Sequence, residues 1–349
     1  MIPETSVFII TQSLHLALFG TFALFISKTP LRVSLFGGGS DFPSYFRAFG
    51  GAVIGGSIDR FIYCTLIRQD SGLFDYKIRL AYRQSEYVNS LVELKHRSAA
   101  AILDHCMLNE NVEITITADL PSRVGLGSSS SFTVGLLKVA SDFQGISYGP
   151  YVLAEKAIAI ERELLQEPGG WQDQIFAAFG GFNFIRFSQD GSFTVDSLGS
   201  QASRLRDLEQ HLMLYFTGVS RDAGSVEQAK VDQMSSISDS LTAIKDHAHR
   251  ALDTFMSDRN LEAIGRLLHE TWLTKRSLAR SVSTPHVDQM YERALAAGAL
   301  GGKLLGAGAG GFLLLFSPLD KVSAVQAAMQ PHTQVPFSFV DQGSTLYQI

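Results

Sequence analysis

A run of glycine and serine residues, GLGSSSS at Gly125–Ser131, stands immediately before an apolar pattern of helical spacing, and the alternating pattern NVEITITADLP precedes it. Glycines allow the backbone to approach bound oxygen atoms closely, and the N–H groups and dipole of a helix N-terminus attract anions. Serine hydroxyls can cap a helix or ligate Mg²⁺. The stretch therefore predicts a phosphate site, and a serine-rich helix cap without a ligand stays open as the alternative.

A second glycine cluster, Gly306, Gly308 and Gly311, matches the G-x-G-x-x-G spacing of dinucleotide-binding loops. Such a loop must open a helix, and an acidic residue must follow about 20 positions later. Here the β pattern FLLLF follows directly, so we reject a dinucleotide site. The first cluster is no Walker A loop either, because no Gly-Lys-Ser/Thr follows it.

Hydrophobic periodicity indicates the elements that would position these loops. Strand patterns occupy residues 22–36, 51–68, 76–83, 111–121, 181–187, 192–198 and 211–218. Helical patterns occupy residues 88–107, 129–165 with a break at 145–150, about 224–297, and 321–329. This order predicts an α+β protein with two lobes, whose β-rich first half and helix-rich second half meet near residue 195.

Composition excludes several classes of protein. A length of 349 residues allows one large or two ordinary domains, and a net charge of −5 gives no electrostatic footprint for nucleic acid. Cys64 and Cys106 belong to no CxxC or Cys/His cluster, so neither a zinc site nor a disulfide framework is indicated. A reducing cytoplasm fits this cysteine usage best.

The first 26 residues form an N-terminal extension of undecided status. Their stretch LHLALFGTFALFI, at 14–26, has the length and composition of a signal-peptide core, but no Lys or Arg precedes it and no small-residue cleavage site follows. It is also shorter than the roughly 20 apolar residues that span a bilayer. We expect an extension that leads into the first strand and no stable membrane association, with a membrane-directed segment as the open alternative.

Three motifs together resemble those of the GHMP small-molecule kinases. KTPLRVSLFGGGSD, PSRVGLGSSSS and KLLGAGAGGFLLLF occur in that family's order and spacing, and the similarity covers roughly residues 27–349. Within the family, GGGSD, GGWQDQIFAAFGGFNF and TGVSRDA are most similar to the heptose 7-phosphate kinases. The resemblance implies an N-terminal, ribosomal-protein-like α/β lobe that binds ATP at 27–195 and a ferredoxin-like lobe at 196–349.

The resemblance also implies ATP and Mg²⁺ as cofactors and assigns residues to them. Ser129 and Glu161 match the metal ligands of the family, although Glu163 is hard to separate from Glu161 by sequence. The alternative is that this glutamate only lies on a solvent-exposed helix face. The later glycine loop is expected to be structural. The expected phosphate-binding residues are Gly125, Leu126, Gly127, Ser128, Ser129, Ser130 and Ser131. The expected structural loop contains Gly306, Gly308, Gly310 and Gly311.

The same resemblance assigns the chemistry at the acceptor hydroxyl to Asp173 and Arg32. Asp173 would take the proton of the acceptor hydroxyl or only orient it, and Arg32 would stabilise negative charge on the transferring phosphate. The alternatives are that Asp173 is only a polar residue at the start of a helix and that Arg32 is only a surface residue. Arg221 is the first candidate for the cation that binds a second substrate phosphate, and Arg47 and Lys303 are weaker candidates. For each of the three, a surface salt bridge is an equally good explanation. The expected substrate-binding residues are Gly38, Gly39, Ser40, Asp41, Gly170 and Arg221.

The resemblance implies a phosphotransferase that acts on the anomeric hydroxyl of D-glycero-D-manno-heptose 7-phosphate and serves surface-glycan synthesis. The expected partners are ATP and the sugar phosphate, and a homo-oligomer stays open. An L-fucose-type sugar 1-kinase is the enzymatic alternative. A nucleotide-binding regulator without catalysis is the non-enzyme alternative. The chain retains Arg32, Ser129, Glu161 and Asp173, which speaks against that alternative.

Overall fold

A computed structural model describes residues 24–109, 111–219, 228, 234–279, 282–308 and 310–349, with the side chains of residues 234 and 235 outside that description. Arg221 and nearly all of the N-terminal extension therefore lie outside the described residues. Residues 24–26 of that extension form the start of the first strand. Within the described residues, no helix is both long enough and apolar enough to cross a membrane.

Among the described residues, eight strands form a large sheet. They are β1 (Leu24–Phe36), β2 (Gly51–Arg68), β3 (Ile78–Ala81), β4 (Ser85–Val88), β5 (Val112–Ala118), β6 (Phe182–Phe187), β7 (Phe193–Ser197) and β11 (Thr345–Gln348). The longest strand, β2, lies at the centre: the main path runs β11-β1-β2-β5-β3-β4, while β6 pairs with β2 and β7 pairs with β6. All pairs are antiparallel except β3 with β5.

A smaller sheet contains β8 (Leu212–Phe216), β9 (Gly301–Leu304) and β10 (Phe312–Phe316), in the antiparallel order β8-β10-β9. Residues 333–335 extend this sheet beyond β8, because the Phe216 N–H donates to Thr333 O and the Val335 N–H donates to Leu214 O. With helices between the first and second and between the third and fourth segments, this order is that of a ferredoxin-like βαββαβ unit.

Helices cover the sheets and present the loops of the predicted site. They are α1 (Pro43–Phe49), α2 (Arg97–His105), α3 (Ser128–Phe143), α4 (Pro150–Ala159), α5 (Gln172–Phe179), α6 (Ala202–His211), α7 (Met234–Phe255), α8 (Glu262–Ser277), α9 (Pro285–Ala296) and α10 (Val322–Ala328). A π-helical turn, Ile160–Leu164, extends α4, and short 3₁₀ turns occur at Leu91–Glu93, Gly199–Gln201 and Leu319–Lys321.

One hydrophobic core runs from the large sheet through α3 and α5 to α7 and α8, and a second lies between the small sheet and α9. In the first core, Phe182 of β6 packs against Phe255 of α7 with ring centroids 5.1 Å apart. In the second, Trp272 and Tyr291 are fully buried. Burial of such large apolar side chains supplies the main driving force for folding.

The structure differs from the sequence patterns at several elements. The helical pattern at 88–107 yields a helix only from Arg97, because His96 caps it by accepting a hydrogen bond from the Ala99 N–H. Two segments of the expected second lobe, 196–349, pair with the large sheet, because β11 pairs with β1 and Phe339 forms a bridge with Ile58 of β2. A pairing between strands so far apart along the chain leaves no local signal in the sequence.

Candidate active site

The glycine-serine run forms the turn into α3, as its pattern predicts. Gly127 is the N-cap residue, with a left-handed φ of 76°, and no side chain of the described residues caps this helix. Ser128 Oγ instead accepts a hydrogen bond from the Arg123 N–H at 3.3 Å, and Ser129 is exposed. The first turn of α3 therefore offers an uncapped N-terminus next to an exposed hydroxyl, which suits an anion.

The two glycine loops contact each other directly. A Cβ on Gly125 would lie 2.5 Å from Leu305 O, and a Cβ on Gly306 would lie 2.5 Å from Gly125 Cα. A Cβ on Gly311 would overlap the Val124 carbonyl. Side chains at these positions would separate the loops, so the second glycine loop packs against the first and supports it.

Arg32 and Asp173 form a bidentate ion pair beside the first loop. Arg32 Nε donates to Asp173 Oδ1 at 2.8 Å, and its Nη2 donates to Oδ2 at 2.7 Å. Its Nη1 donates to Gly125 O at 2.7 Å, so all three nitrogens of the guanidinium are used. Arg32 comes from β1 and is buried, whereas the Asp173 side chain, in the first turn of α5, is 23% exposed. A charged pair with one accessible carboxylate therefore lies at the Gly125–Ser131 loop.

A second, fully buried polar cluster joins α3, α5 and the π-helical turn. Ser130 Oγ donates to Glu161 Oε2 at 3.0 Å, and Gln174 Nε2 donates to the same oxygen at 2.5 Å. Gln174 Nε2 also donates to Ser130 Oγ at 3.0 Å. Glu161 is 1% exposed, and its Oε1 has no hydrogen-bond partner among the described residues. π-Helical turns often mark functional sites, and this one carries the glutamate.

This cluster fits a divalent cation. Mg²⁺ prefers oxygen ligands and needs few from the protein. Glu161 supplies a buried carboxylate oxygen without a partner among the described residues, which is costly unless a cation or donor reaches it. The serine in contact with Glu161 is Ser130, whereas Ser129, the serine expected to ligate the metal, is exposed. The role of Ser129 stays a prediction.

The GGGSD loop between β1 and α1 is tied to the start of α5. Asp41 is fully buried, and its carboxylate accepts the N–H of Gly39 at 2.8 Å and that of Gln172 at 3.2 Å. A Cβ on Gly170 would overlap this carboxylate. Ser40 Oγ donates to Ala52 O at 3.0 Å. Asp41, Ser40 and Gly170 thus hold the loop together, and substrate contact by them stays a prediction.

Two buried polar atoms that have no hydrogen-bond partner among the described residues, Ser34 Oγ and Gln172 Oε1, lie near Gly38. Ser34 lies two residues after Arg32 on β1, so both side chains project from the same face of the strand. A Cβ on Gly38 would lie 3.4 Å from Gln172 Nε2 and 3.5 Å from Ser34 Oγ. These groups can hydrogen-bond to hydroxyls of a ligand beside the ion pair.

Two of the cations considered for a second phosphate, Lys303 and Arg47, lie among the described residues. Lys303 is buried and donates to Leu35 O at 3.0 Å, which links β9 to β1. Arg47 is exposed on α1, next to Gly191. Arg221 lies outside the described residues. A lysine that the sequence did not single out, Lys275, donates to the carbonyls of Leu304 at 3.0 Å and Gly306 at 2.7 Å and so supports the second glycine loop.

Sequence reasoning also missed Gln174 and Arg162. Arg162 follows Glu161 and donates to Gly170 O at 2.9 Å and to Glu167 O at 3.2 Å, which orders the chain leading to α5. The only sequence signal for Gln174 is its place directly after Asp173 in GGWQDQ. A buried glutamine makes polar contacts that neither periodicity nor spacing predicts.

Comparison with known proteins agrees with this geometry. Residues 89–181 match the family model for the GHMP kinases N terminal domain, and residues 248–332 match that for the GHMP kinases C terminal domain. The D-glycero-alpha-D-manno-heptose 7-phosphate kinase of Campylobacter jejuni is 31% identical over 336 residues, covering 93% of this chain and 98% of the relative.

Two further relatives extend the comparison. The crystal structure of a D-glycero-D-manno-heptose 1-phosphate kinase from Bacteroides thetaiotaomicron has a TM-score of 0.76 and 28% identity, over 93% of this chain and 99% of that one. An L-fucokinase/L-fucose-1-P guanylyltransferase of Bacteroides fragilis is 28% identical over 62% of this chain and 23% of its own length. The chain therefore belongs to the GHMP kinase family and is a phosphotransferase with an alcohol acceptor.

Proposed function

We propose that this kinase transfers the γ-phosphoryl group of ATP to the anomeric hydroxyl of D-glycero-D-manno-heptose 7-phosphate and so forms the 1,7-bisphosphate. The observation that carries the proposal is the bidentate Arg32–Asp173 pair against Gly125 of the phosphate loop. The choice of sugar is supported by the 31% identity to a heptose 7-phosphate kinase. Such a product would supply nucleotide-activated heptose for surface glycans, with the enzyme in the cytoplasm.

In this proposal each residue performs a step that its position allows. The Gly125–Ser131 loop and the N-terminus of α3 bind the ATP phosphates through backbone N–H groups. The accessible carboxylate of Asp173 accepts a hydrogen bond from the acceptor hydroxyl and can receive its proton at an Oδ atom. Arg32 orients that carboxylate and stabilises negative charge that develops on the transferred group.

Mg²⁺ would be held by Glu161 together with the hydroxyl of Ser129 or Ser130. When bound, it neutralises charge on the β- and γ-phosphates during transfer. Ser34 and Gln172, whose buried polar atoms lack partners among the described residues, are placed to receive sugar hydroxyls. Arg221 stays the proposed cation for the 7-phosphate.

The test is ADP release with Mg²⁺-ATP and each of four acceptors: the heptose 7-phosphate, the heptose 1-phosphate, L-fucose and D-mannose. Phosphorus NMR of the product identifies the new phosphate, and Asp173→Ala serves as the inactive control. We expect turnover of the heptose 7-phosphate alone, with a new anomeric phosphate. Turnover of heptose 1-phosphate instead would reverse the site of transfer, and turnover of free L-fucose would favour the activity that the Bacteroides fragilis relative carries in its name.

ATP binding without turnover of any sugar would contradict the proposal and favour a nucleotide-binding regulator. An Arg221→Ala variant separates the role of the second phosphate. We expect its KM for the heptose 7-phosphate to rise while its KM for ATP stays unchanged. An unchanged KM for the sugar phosphate would remove Arg221 from the site.

A further inference from the structure

We propose that Gln174 is a positioning residue that holds Glu161 and Ser130 in place as a preformed set of ligands for the divalent cation. The inference rests on the proposed function for the identity of the cation. It starts from burial, because Gln174 is fully buried and Glu161 and Ser130 are 1% and 4% exposed. Three buried polar side chains from three different segments meet here, and each contacts the other two.

The hydrogen bonds define the orientation of the glutamine amide. A carboxylate only accepts hydrogen bonds, so the amide presents its NH₂ group to Glu161. Gln174 Nε2 lies 2.5 Å from Glu161 Oε2 and 3.0 Å from Ser130 Oγ, and Ser130 Oγ donates to the same Oε2 at 3.0 Å. The triangle occupies one carboxylate oxygen and leaves Oε1 without a partner among the described residues.

The charge of Glu161 is incompletely balanced by the groups around it. Arg162 Nη2 lies 3.4 Å from Oε2, but this guanidinium also donates to the carbonyls of Gly170 and Glu167. No donor among the described residues reaches Oε1. An ionised carboxylate at this depth needs a cation or donors on both oxygens. A divalent cation at Oε1 satisfies that need, while the triangle fixes the rotamer that would present the oxygen.

Gln174 also connects the cation ligands to the acceptor chemistry. It follows Asp173 on α5, and the two side chains make separate polar contacts, one with Glu161 and the other with Arg32. One rigid helix therefore sets the positions of both groups. Partners that orient a metal ligand commonly change metal affinity or activity about 10- to 100-fold when removed.

The test uses Gln174→Leu, which keeps most of the volume but donates no hydrogen bond, and Gln174→Asn, which shortens the donor. Binding of Mn²⁺ with ADP is measured by loss of the free Mn²⁺ EPR signal, and the Mg²⁺ dependence of turnover is measured at fixed ATP. We expect Gln174→Leu to weaken Mn²⁺ binding about tenfold and to raise the Mg²⁺ requirement similarly. The KM for the sugar should stay unchanged. Gln189→Leu, an exposed glutamine between β6 and β7, is the matched control and should behave as wild type.

A second measurement needs no variant. Bound Mn²⁺ should broaden the side-chain amide resonance of Gln174 by paramagnetic relaxation and leave that of Gln189 sharp. Wild-type Mn²⁺ affinity in folded Gln174→Leu, or a sharp Gln174 resonance with Mn²⁺ bound, would overturn the inference while leaving kinase activity intact. Failure of the proposed function would look different, since the Mn²⁺ measurements do not depend on which sugar is phosphorylated.

Discussion

Asp173 is the residue at which orientation and proton transfer can be separated. Asp173→Asn keeps the shape of the side chain and one acceptor for Arg32 but removes the basic carboxylate. We expect kcat to fall about 10²- to 10⁴-fold, as is typical when a general base is lost. Steady-state kinetics at saturating Mg²⁺-ATP measures it, with Asp190→Asn, on the exposed β6–β7 turn, as the control. A kcat within a few-fold of wild type would restrict Asp173 to orienting the hydroxyl.

His96 makes the free energy of unfolding of the protein depend on pH. Its ring lies between Tyr82 and Phe132, with centroids 5.0 and 4.9 Å away. Burial lowers the pKa of His96 below its usual 6.5, partly opposed by the charge of Glu86. Because the unfolded chain then binds the proton more readily, this contribution to stability is complete above about pH 6.5 and is lost as the pH falls toward the lowered pKa.

The variant His96→Asn keeps a side-chain acceptor for the Ala99 N–H but cannot titrate. We expect its free energy of unfolding to fall less than that of wild type between pH 7.5 and pH 5.5. Urea unfolding at both pH values measures the difference, and the other histidines, present in both proteins, cancel. An identical pH dependence in the two proteins would contradict this account of His96.

At the residue scale the sequence predicted candidates but not their contacts. Arg32, Asp173 and Glu161 were selected by the motifs they occupy, and the structure brings Arg32 together with Asp173. The serine that contacts Glu161 is Ser130, whereas Ser129, the serine expected to ligate Mg²⁺, is exposed and its role stays a prediction. Four consecutive serines have the same composition, and only the helical rotation of α3 decides which of them faces inward. Such a choice depends on packing against the π-helical turn, which the sequence does not show.

At the scale of elements, the contact between the two glycine loops can be tested by adding one methyl group. Gly125→Ala would place Cβ 2.5 Å from Leu305 O at a φ of +82°. We expect about 1–3 kcal/mol of strain and a weaker affinity for ATP, because the loops must separate. Gly72→Ala is the matched control, since Gly72 has a φ of +84° but a methyl group added there would meet no atom of the described residues within 4 Å.

Both variants thus carry the strain of a non-glycine residue at positive φ, and they differ in that only the Cβ at position 125 would clash with Leu305 O. Urea unfolding gives the change in free energy, and isothermal titration gives the affinity for ATP. Gly125→Ala should be the less stable of the two and the only one with weakened ATP binding. Equal stability and equal ATP affinity would show that the second loop does not support the first.

Elements were predictable where their pattern is local. The strand NVEITITADLP corresponds to β5, and the break at 145–150 separates α3 from α4, because alternation and helix-breaking residues act within a few positions. The strand expected at 76–83 is shorter, Ile78–Ala81. The π-helical turn that carries Glu161 was not predicted from the sequence.

At the scale of the whole molecule, β1 is the element on which both sheets depend. It pairs with β2 and β11, carries Arg32, and accepts the hydrogen bond of Lys303 at its Leu35 carbonyl. The final strand therefore supports the candidate site from a distance. The ferredoxin-like order of the small sheet was expected from the resemblance, whereas the return of the chain to β1 was not.

Removal of residues 344–349 tests this long-range support. Truncation deletes β11, the two backbone hydrogen bonds between Leu24 and Ile349, and the contact of Ser344 Oγ with Thr29 Oγ1 at 2.8 Å. At about 0.5–1.5 kcal/mol per hydrogen bond, we expect a loss of several kcal/mol in the free energy of unfolding. We also expect a lower kcat, because the strand that presents Arg32 becomes the edge of the sheet. Tyr347→Ser, an exposed change that keeps the backbone pairing, is the control. Urea unfolding and steady-state kinetics on both proteins decide the matter: a truncated enzyme with wild-type kcat would confine β11 to stability.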